Sequence, residues 1–221
     1  MPWPEFLRRL RHPAPPPGWL EAAADLKDIR KRPMLMRWIA QHLKAPAELR
    51  NRLLPTLPWR ALAAIAGDAA AHPQARAHAC ERLGFRWAGL TMGERCSLAP
   101  LAPPPLWPAI WKVRDRRVIA ALLQNPRLTI PALEGLLGRE LASPHAEALQ
   151  ESRWLESVPV AHQVLQALDR GLGKPESGLV LGLAVAWILA LPAEERAFAA
   201  TRVANPALRR MVRGAAEGPG A

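Results

Sequence analysis

The chain has 221 residues, room for one larger domain or two small ones, with enough apolar surface to fold without disulfide or metal staples. Its 41 Ala and 34 Leu against 9 Val, 7 Ile, 4 Thr and no Tyr exclude a sheet-rich class and predict an all-α fold, because Ala and Leu lose little freedom in a helix while strands draw on β-branched and aromatic residues. The formal charge of +11 lies entirely in the first half: residues 1–117 hold 20 Lys or Arg against 9 Asp or Glu, and residues 118–221 hold 10 against 10.

The first predicted element is a basic amphipathic helix with Trp3, Phe6, Leu7 and Leu10 opposite Arg8, Arg9 and Arg11. It is expected to cap a helical array, with a membrane surface as the alternative. The charge within Met1–Arg11 argues against a signal peptide. The apolar stretch from Gly178 to Pro192 is expected to be a core helix, being shorter than the roughly 20 residues of a membrane span. A cytoplasmic location follows as the expectation.

Eight of the 24 prolines, at 33, 46, 73, 131, 159, 175, 192 and 206, each precede an Ala/Leu-rich run of helical length. Proline has a fixed φ and no N–H, so it suits the first turn, where that N–H would have no partner. From Pro33, the residues Met36, Ile39, Ala40 and Leu43 fall on one face and Arg37, Gln41 and Lys44 on another. Thr91 with Glu94 has capping-box spacing, Asp115 precedes the run Arg116 to Gln124 as a cap, and Gly67, Gly84, Gly138 and Gly171 read as stop signals. Cys80 and Cys96 are too few for a disulfide framework and are expected to be buried, reduced thiols.

A repeat emerges when His-Pro and Asn-Pro junctions are aligned. APAELRNRLLPTL followed by HPQARAHACERL has the layout of KPESGLVLGLAVAW followed by NPALRRMVRGAA, with related junctions at His12-Pro13 and Asn125-Pro126. Recurrence on this scale predicts stacked helical hairpins forming a short α-solenoid, since each unit buries its apolar face on its neighbour. The expected organisation is a helical repeat array over 1–214, basic over residues 1–138, with a polar connection at 139–157 and neutral C-terminal hairpins over 158–214, followed by a disordered tail 215–221.

The run from Asp115 to Thr129, DRRVIAALLQNPRLT, resembles the HEAT-like and leucine-rich-repeat-variant families of bacterial α-solenoids, which read D-x-R-V, a small-residue helix, N-P-x-L-T and a second helix. The resemblance covers about 25 residues, through Leu137, with fainter echoes elsewhere. It implies a stack of short helices and a generic binding role. Asp115 and Asn125 would be junction residues, with Val118, Ala121 and Leu122 in the core. The cysteine-rich iron–sulfur segment of some variant-repeat proteins has no counterpart here, so no cofactor is expected.

The sharpest local feature is Arg30-Lys31-Arg32 directly before Pro33. Cations at a helix N-terminus oppose the macrodipole, so the arrangement suits an anion bound there; a solvated loop with Asp28 as partial counterion is the plainer reading. With Arg37, Lys44, Arg50, Arg52 and Arg60 these residues form the candidate anion- or partner-binding set, in a segment from Lys27 to Arg60 with 9 basic residues against 2 acidic. Among nine Trp, Trp107 and Trp111 would share a helix face, for packing or for stacking on a ligand. His78 and Cys80, two apart, turn to different faces, so no metal site is expected, and His72 reads as a turn residue. H-E-x-x-H, G-x-S-x-G and a complete P-loop are all missing from the sequence, and no catalytic residues are assigned.

Three functions compete. The first is a non-enzymatic scaffold for an acidic protein partner, the second sequence-independent binding to nucleic-acid phosphates. The third is an analogy to HEAT-like DNA glycosylases, with Asp115 near Trp111 as the acidic and aromatic pair. Exposed apolar anchors among the arginines would mark the first, a continuous basic groove the second, an acid open inside that groove the third.

Overall fold

In the computed structural model, which describes residues 3–217, every regular element is a helix, and no strand occurs among the described residues. The chain forms two compact units, Met1–Leu106 and Trp107–Ala221. The first contains α1 (Trp3–Arg11), α2 (Trp19–Asp25), α3 (Lys27–Arg30), α4 (Pro33–Gln41), α5 (Ala47–Leu53), α6 (Trp59–Gly67), α7 (Pro73–Trp87) and α8 (Met92–Leu98). The second contains α9 (Trp107–Trp111), α10 (Arg116–Leu123), α11 (Ile130–Leu137), α12 (Ser143–Gln150), α13 (Val158–Gly171), α14 (Val185–Ala190), α15 (Ala193–Arg202) and α16 (Pro206–Glu217).

Proline placement sets most of the starts. Pro33, Pro73 and Pro206 are the first residues of α4, α7 and α16; Pro131 and Pro159 are second in α11 and α13; Pro46 and Pro192 cap α5 and α15. Pro175 is the exception, opening only a 3-10 turn over Pro175–Ser177.

The His-Pro and Asn-Pro junctions share one device. A side-chain acceptor takes the N–H two residues on: His12 Nδ1 from Ala14 at 3.1 Å, His72 Nδ1 from Gln74 at 3.2 Å, Asn125 Oδ1 from Arg127 at 3.0 Å and Asn205 Oδ1 from Ala207 at 3.0 Å. His72 is therefore a turn residue, as its position predicts. Asp115 caps α10 in the same way, and Thr91 with Glu94 forms the complete capping box of α8.

Packing within each unit chiefly joins helices that are adjacent or two apart in the chain. In the first, α4 lies against α5 and α6, and α6 against α7, whose Ala75, Ala79 and Leu83 are buried along with Leu62 and Ile65 of α6. In the second, α10 pairs with α12, α11 with α13, and α15 with α16. Each fully buried Leu or Ile contributes about 1.5–3 kcal/mol over an exposed one.

Several expectations need correction. α4 ends at Gln41, so Leu43 leaves the apolar face and is 58% exposed. Gly84 lies inside α7, which runs on to Trp87, whereas Gly67, Gly138 and Gly171 do stand at the ends of α6, α11 and α13, each without a positive φ. The apolar stretch from Gly178 is no continuous core helix: a 3-10 turn over Leu181–Ala184 leads into α14, which buries Trp187 and Ile188 while Val180, Val185 and Leu189 stay exposed. Without regular polar spacing, one face of so apolar a run still ends in solvent.

The stretch 139–157 lies inside the second unit as α12 and a 3-10 turn over Arg153–Glu156, and the boundary between units falls at 106/107. The expected tail begins later: α16 reaches Glu217, and residues 218–221 lie outside the described residues. In the stretch resembling HEAT-like repeats, Val118 and Leu122 are buried and Ala121 is half-buried.

Candidate partner-binding surface

The first unit holds 16 Lys or Arg against 8 Asp or Glu. Arg30 ends α3, Lys31 is its C-cap and Arg32 is the N-cap of α4, so the triplet does stand before a helix start. Two of its three cations have partners within the unit. Arg30 pairs with Asp25 at 2.8 Å, and Arg32 lies over the Trp3 ring at 4.3 Å. Asp25, not Asp28, is the counterion. Arg52 joins it there at 3.2 Å, and these two guanidinium groups hold the Asp25 carboxyl below its ordinary range. Both pairs are exposed, where such bridges contribute little to stability.

The rest of the set divides. Lys31 and Lys44 are exposed, and their side chains have no hydrogen-bond or ion-pair partner among the described residues. Arg37 is half-buried on α4, with a buried Nε that makes no hydrogen bond. Arg60 is exposed over the ring of Trp59 at 5.1 Å, and the Trp59 indole N–H donates to Glu94 at 3.1 Å.

Arg50 is 6% exposed, so its expected role on the binding surface is corrected. It donates to the Ala45 carbonyl and, at 2.6 Å, to Gln74 Oε1, tying the turn before α5 to the start of α7. Burial lowers its pKa from the ordinary arginine value. Helical spacing placed it correctly on α5; which way that face turned depended on packing that spacing alone does not encode.

Exposed apolar residues alternate with these cations along the sequence. Leu26, Met34 and Leu43 are 52%, 58% and 58% exposed. A groove of about 550 Å³ is walled by Trp3, Phe6, Trp19, Leu26 and Ile29, together with Lys27 and Asp28. Phe6 and Leu10 are buried, and Phe6 packs on Trp19 with ring centroids 5.2 Å apart, so α1 lays its apolar face on its own unit. Among the described residues no helix is long and apolar enough to cross a membrane.

The residues considered for chemistry have structural employment. Asp115 accepts from the Arg117 backbone at 2.9 Å and side chain at 3.0 Å, and these bonds hold its pKa low. Trp107 and Trp111 are buried, and the Trp111 indole N–H donates to the Glu140 carbonyl at 2.7 Å. His78 Nε2 accepts from Arg82 at 3.2 Å. Cys80 and Cys96 are free and only partly buried; burial raises the Cys80 pKa. Among the described residues no group of three or more His, Cys, Asp or Glu is placed to hold a metal ion.

Sequence reasoning missed a basic cleft in the second unit, lined by Arg114, Arg139, Arg170 and Lys174. Averaging charge over residues 118–221 concealed it, because most of the balancing carboxylates of that half lie elsewhere. The signal in the sequence was the placement of Arg139 and Arg170 at the ends of two apolar runs. Comparison with known proteins finds no matching family, no matching curated relative and no matching solved structure.

Proposed function

We propose that this chain is a non-enzymatic α-solenoid scaffold of HEAT-like hairpins, and that its basic first unit binds an acidic protein segment. The solenoid reading is supported by packing chiefly between helices adjacent or two apart in the chain within each unit and by the recurring His-Pro and Asn-Pro junctions. The observation that carries the partner class is that the exposed Leu26, Met34 and Leu43 alternate along the sequence with the exposed Lys27, Arg30, Lys31, Arg32 and Lys44. Nucleic-acid backbone offers phosphates to the cations and nothing to these apolar side chains, whereas an acidic amphipathic segment satisfies both. In this reading an apolar anchor of the partner enters the groove walled by Trp3, Phe6, Trp19 and Leu26, while its carboxylates reach Lys31 and Arg32.

Two sets of substitutions separate this from phosphate binding, using fluorescence anisotropy with a labelled Glu/Leu amphipathic peptide and a labelled random-sequence DNA duplex. Replacing Lys31, Arg32 and Lys44 with Gln weakens the peptide and flattens its salt dependence; replacing Leu26, Met34 and Leu43 with Ser also weakens it. If the duplex binds more tightly than the peptide, and only the cation set matters, the nucleic-acid reading replaces this one.

A further inference from the structure

The cleft in the second unit encloses about 430 Å³, within the range of small-ligand sites. Its walls come from Arg114 after α9, the end of α11 with the turn to Leu141, the last turn of α13, and the segment Lys174–Ser177. Arg114 fastens three of them. Its Nε and Nη2 donate to Glu140 Oε1 at 3.0 and 2.8 Å, and its Nη1 donates to the Glu176 carbonyl at 3.1 Å.

The other three cations are uncommitted. The side chains of Arg139, Arg170 and Lys174 make no hydrogen bond or ion pair among the described residues. The lining carries four positive groups against the carboxylates of Glu140 and Glu176, and Glu140 is already occupied by Arg114. The carbonyl ends of α11 and α13 offset some of the mutual repulsion, which explains how the cluster is tolerated without more carboxylates. Positive charge gathered in a concave wall focuses its field on the space between.

We infer that this cleft binds the phosphate monoester of a small hydroxylated molecule. A monoester near neutral pH carries close to two negative charges and three acceptor oxygens, matching two guanidinium groups and one ammonium through charge-assisted hydrogen bonds. The cleft has room beyond the phosphate, and there the Glu176 carboxylate, which no described residue engages, accepts from ligand hydroxyls. The cleft lies wholly in the second unit, so the inference stands independently of the acidic-partner reading.

Isothermal titration of the full chain with glucose 6-phosphate tests it, with inorganic phosphate, glucose and a phosphoserine peptide as separate titrants. Glucose 6-phosphate is expected to saturate one site and bind several-fold tighter than inorganic phosphate, with glucose silent. R139Q, R170Q and K174Q each weaken it about tenfold or more. E176Q weakens glucose 6-phosphate and leaves inorganic phosphate unchanged, because the Arg114 contact uses the Glu176 backbone carbonyl. All four side chains are exposed, so thermal melts of the variants should overlay the parent. Equal affinity for inorganic phosphate, meaning an adventitious ion only, would overturn the inference. So would preference for the phosphopeptide, insensitivity to the three cation substitutions, or no saturable binding at millimolar concentrations.

Discussion

His145 offers a sharp test of how the second unit is held together. It is 0% exposed, at the third position of α12, where the return half of a capping box reaches back to the residue before the helix. Its Nδ1 accepts the Ala142 N–H at 3.1 Å and its Nε2 donates to the Trp111 carbonyl at 2.6 Å, which fixes the neutral tautomer with the proton on Nε2. The ring also lies 4.7 Å from that of Trp111. His145→Phe preserves a ring of similar size and strands both backbone groups. At about 1–3 kcal/mol for each buried group left without a partner, the variant should lose about 2–6 kcal/mol. His145→Gln, which can still accept at the cap, should lose less.

The same geometry gives a pH dependence. Burial holds the His145 pKa below its ordinary value; the Trp111 carbonyl and Glu140 oppose that shift, while Arg114 adds to it. A histidine depressed in the folded state favours folding fully above its unfolded pKa, near 6.5, and that contribution is lost as pH falls toward the folded value, at up to about 1.4 kcal/mol per pH unit. His72, lowered by burial and by Arg50, acts in the same direction. Urea unfolding followed by circular dichroism between pH 7.5 and pH 5 should therefore show a slope that His145→Phe reduces without abolishing. A variant within about 0.5 kcal/mol of the parent at pH 7.5, or an unchanged slope, would refute the account of His145.

Arg50→Met should cost about 2 kcal/mol in denaturant unfolding, because it strands the Ala45 carbonyl and frees Gln74, while Lys31→Met should stay within about 0.5 kcal/mol. Thr91→Ala removes one half of the α8 capping box and should cost about 1 kcal/mol, read from the same unfolding curves. Cys80 and Cys96 are unpaired, so adding reductant should leave the melting temperature unchanged; a large drop would reveal a disulfide.

What the sequence made legible was local. Pro33, Pro73 and Pro206 start helices because ring geometry dictates it whatever surrounds them, and Thr91, Asp115 and Asn205 accept backbone N–H groups within three residues. Where the outcome depended on a distant surface, pattern alone failed. Pro175 has the same local credentials, yet the Gly178-rich segment after it turns with a positive φ and only a 3-10 turn forms. The repeat alignment paired this region with α5, and that half of the repeat does not share a helix. Leu43 continued the α4 periodicity perfectly, but the helix ended two residues earlier, and the His42 side chain accepts the Lys44 N–H instead.

The arginines bear on how the +11 charge should be read. Many of them are paired with carbonyls at the ends of helices and turns. Arg50 donates to Ala45, Arg86 to Leu57 and Pro55, Arg95 to Ala88, Arg196 to Leu191, Leu189 and Ala215, and Arg209 to Val203 and Ala204. A helix end leaves carbonyls without intrahelical partners, and glycine in the left-handed region commonly satisfies them. Among the described residues only Gly18, Gly173 and Gly178 have positive φ, so the long forked side chain of arginine takes over that task at several turns. A guanidinium bound to a carbonyl keeps its charge, and some of the excess therefore arises from building short helices out of Ala, Leu and Pro. It follows that net charge cannot locate the binding surface. The cations that inform on function are to be sought among those with no structural employment, which include Lys31 and Lys44 in the first unit and Arg139, Arg170 and Lys174 around the cleft in the second. Swapping charge at Arg86 or Arg196 should unfold a turn before it weakens any partner, so those positions are unsuitable as controls, whereas the exposed Arg210 and Arg213 on α16 change the net charge without touching a carbonyl. Loss of peptide binding on replacing Arg210 and Arg213 equal to that from Lys31, Arg32 and Lys44 would show that charge alone, with no defined face, attracts the partner.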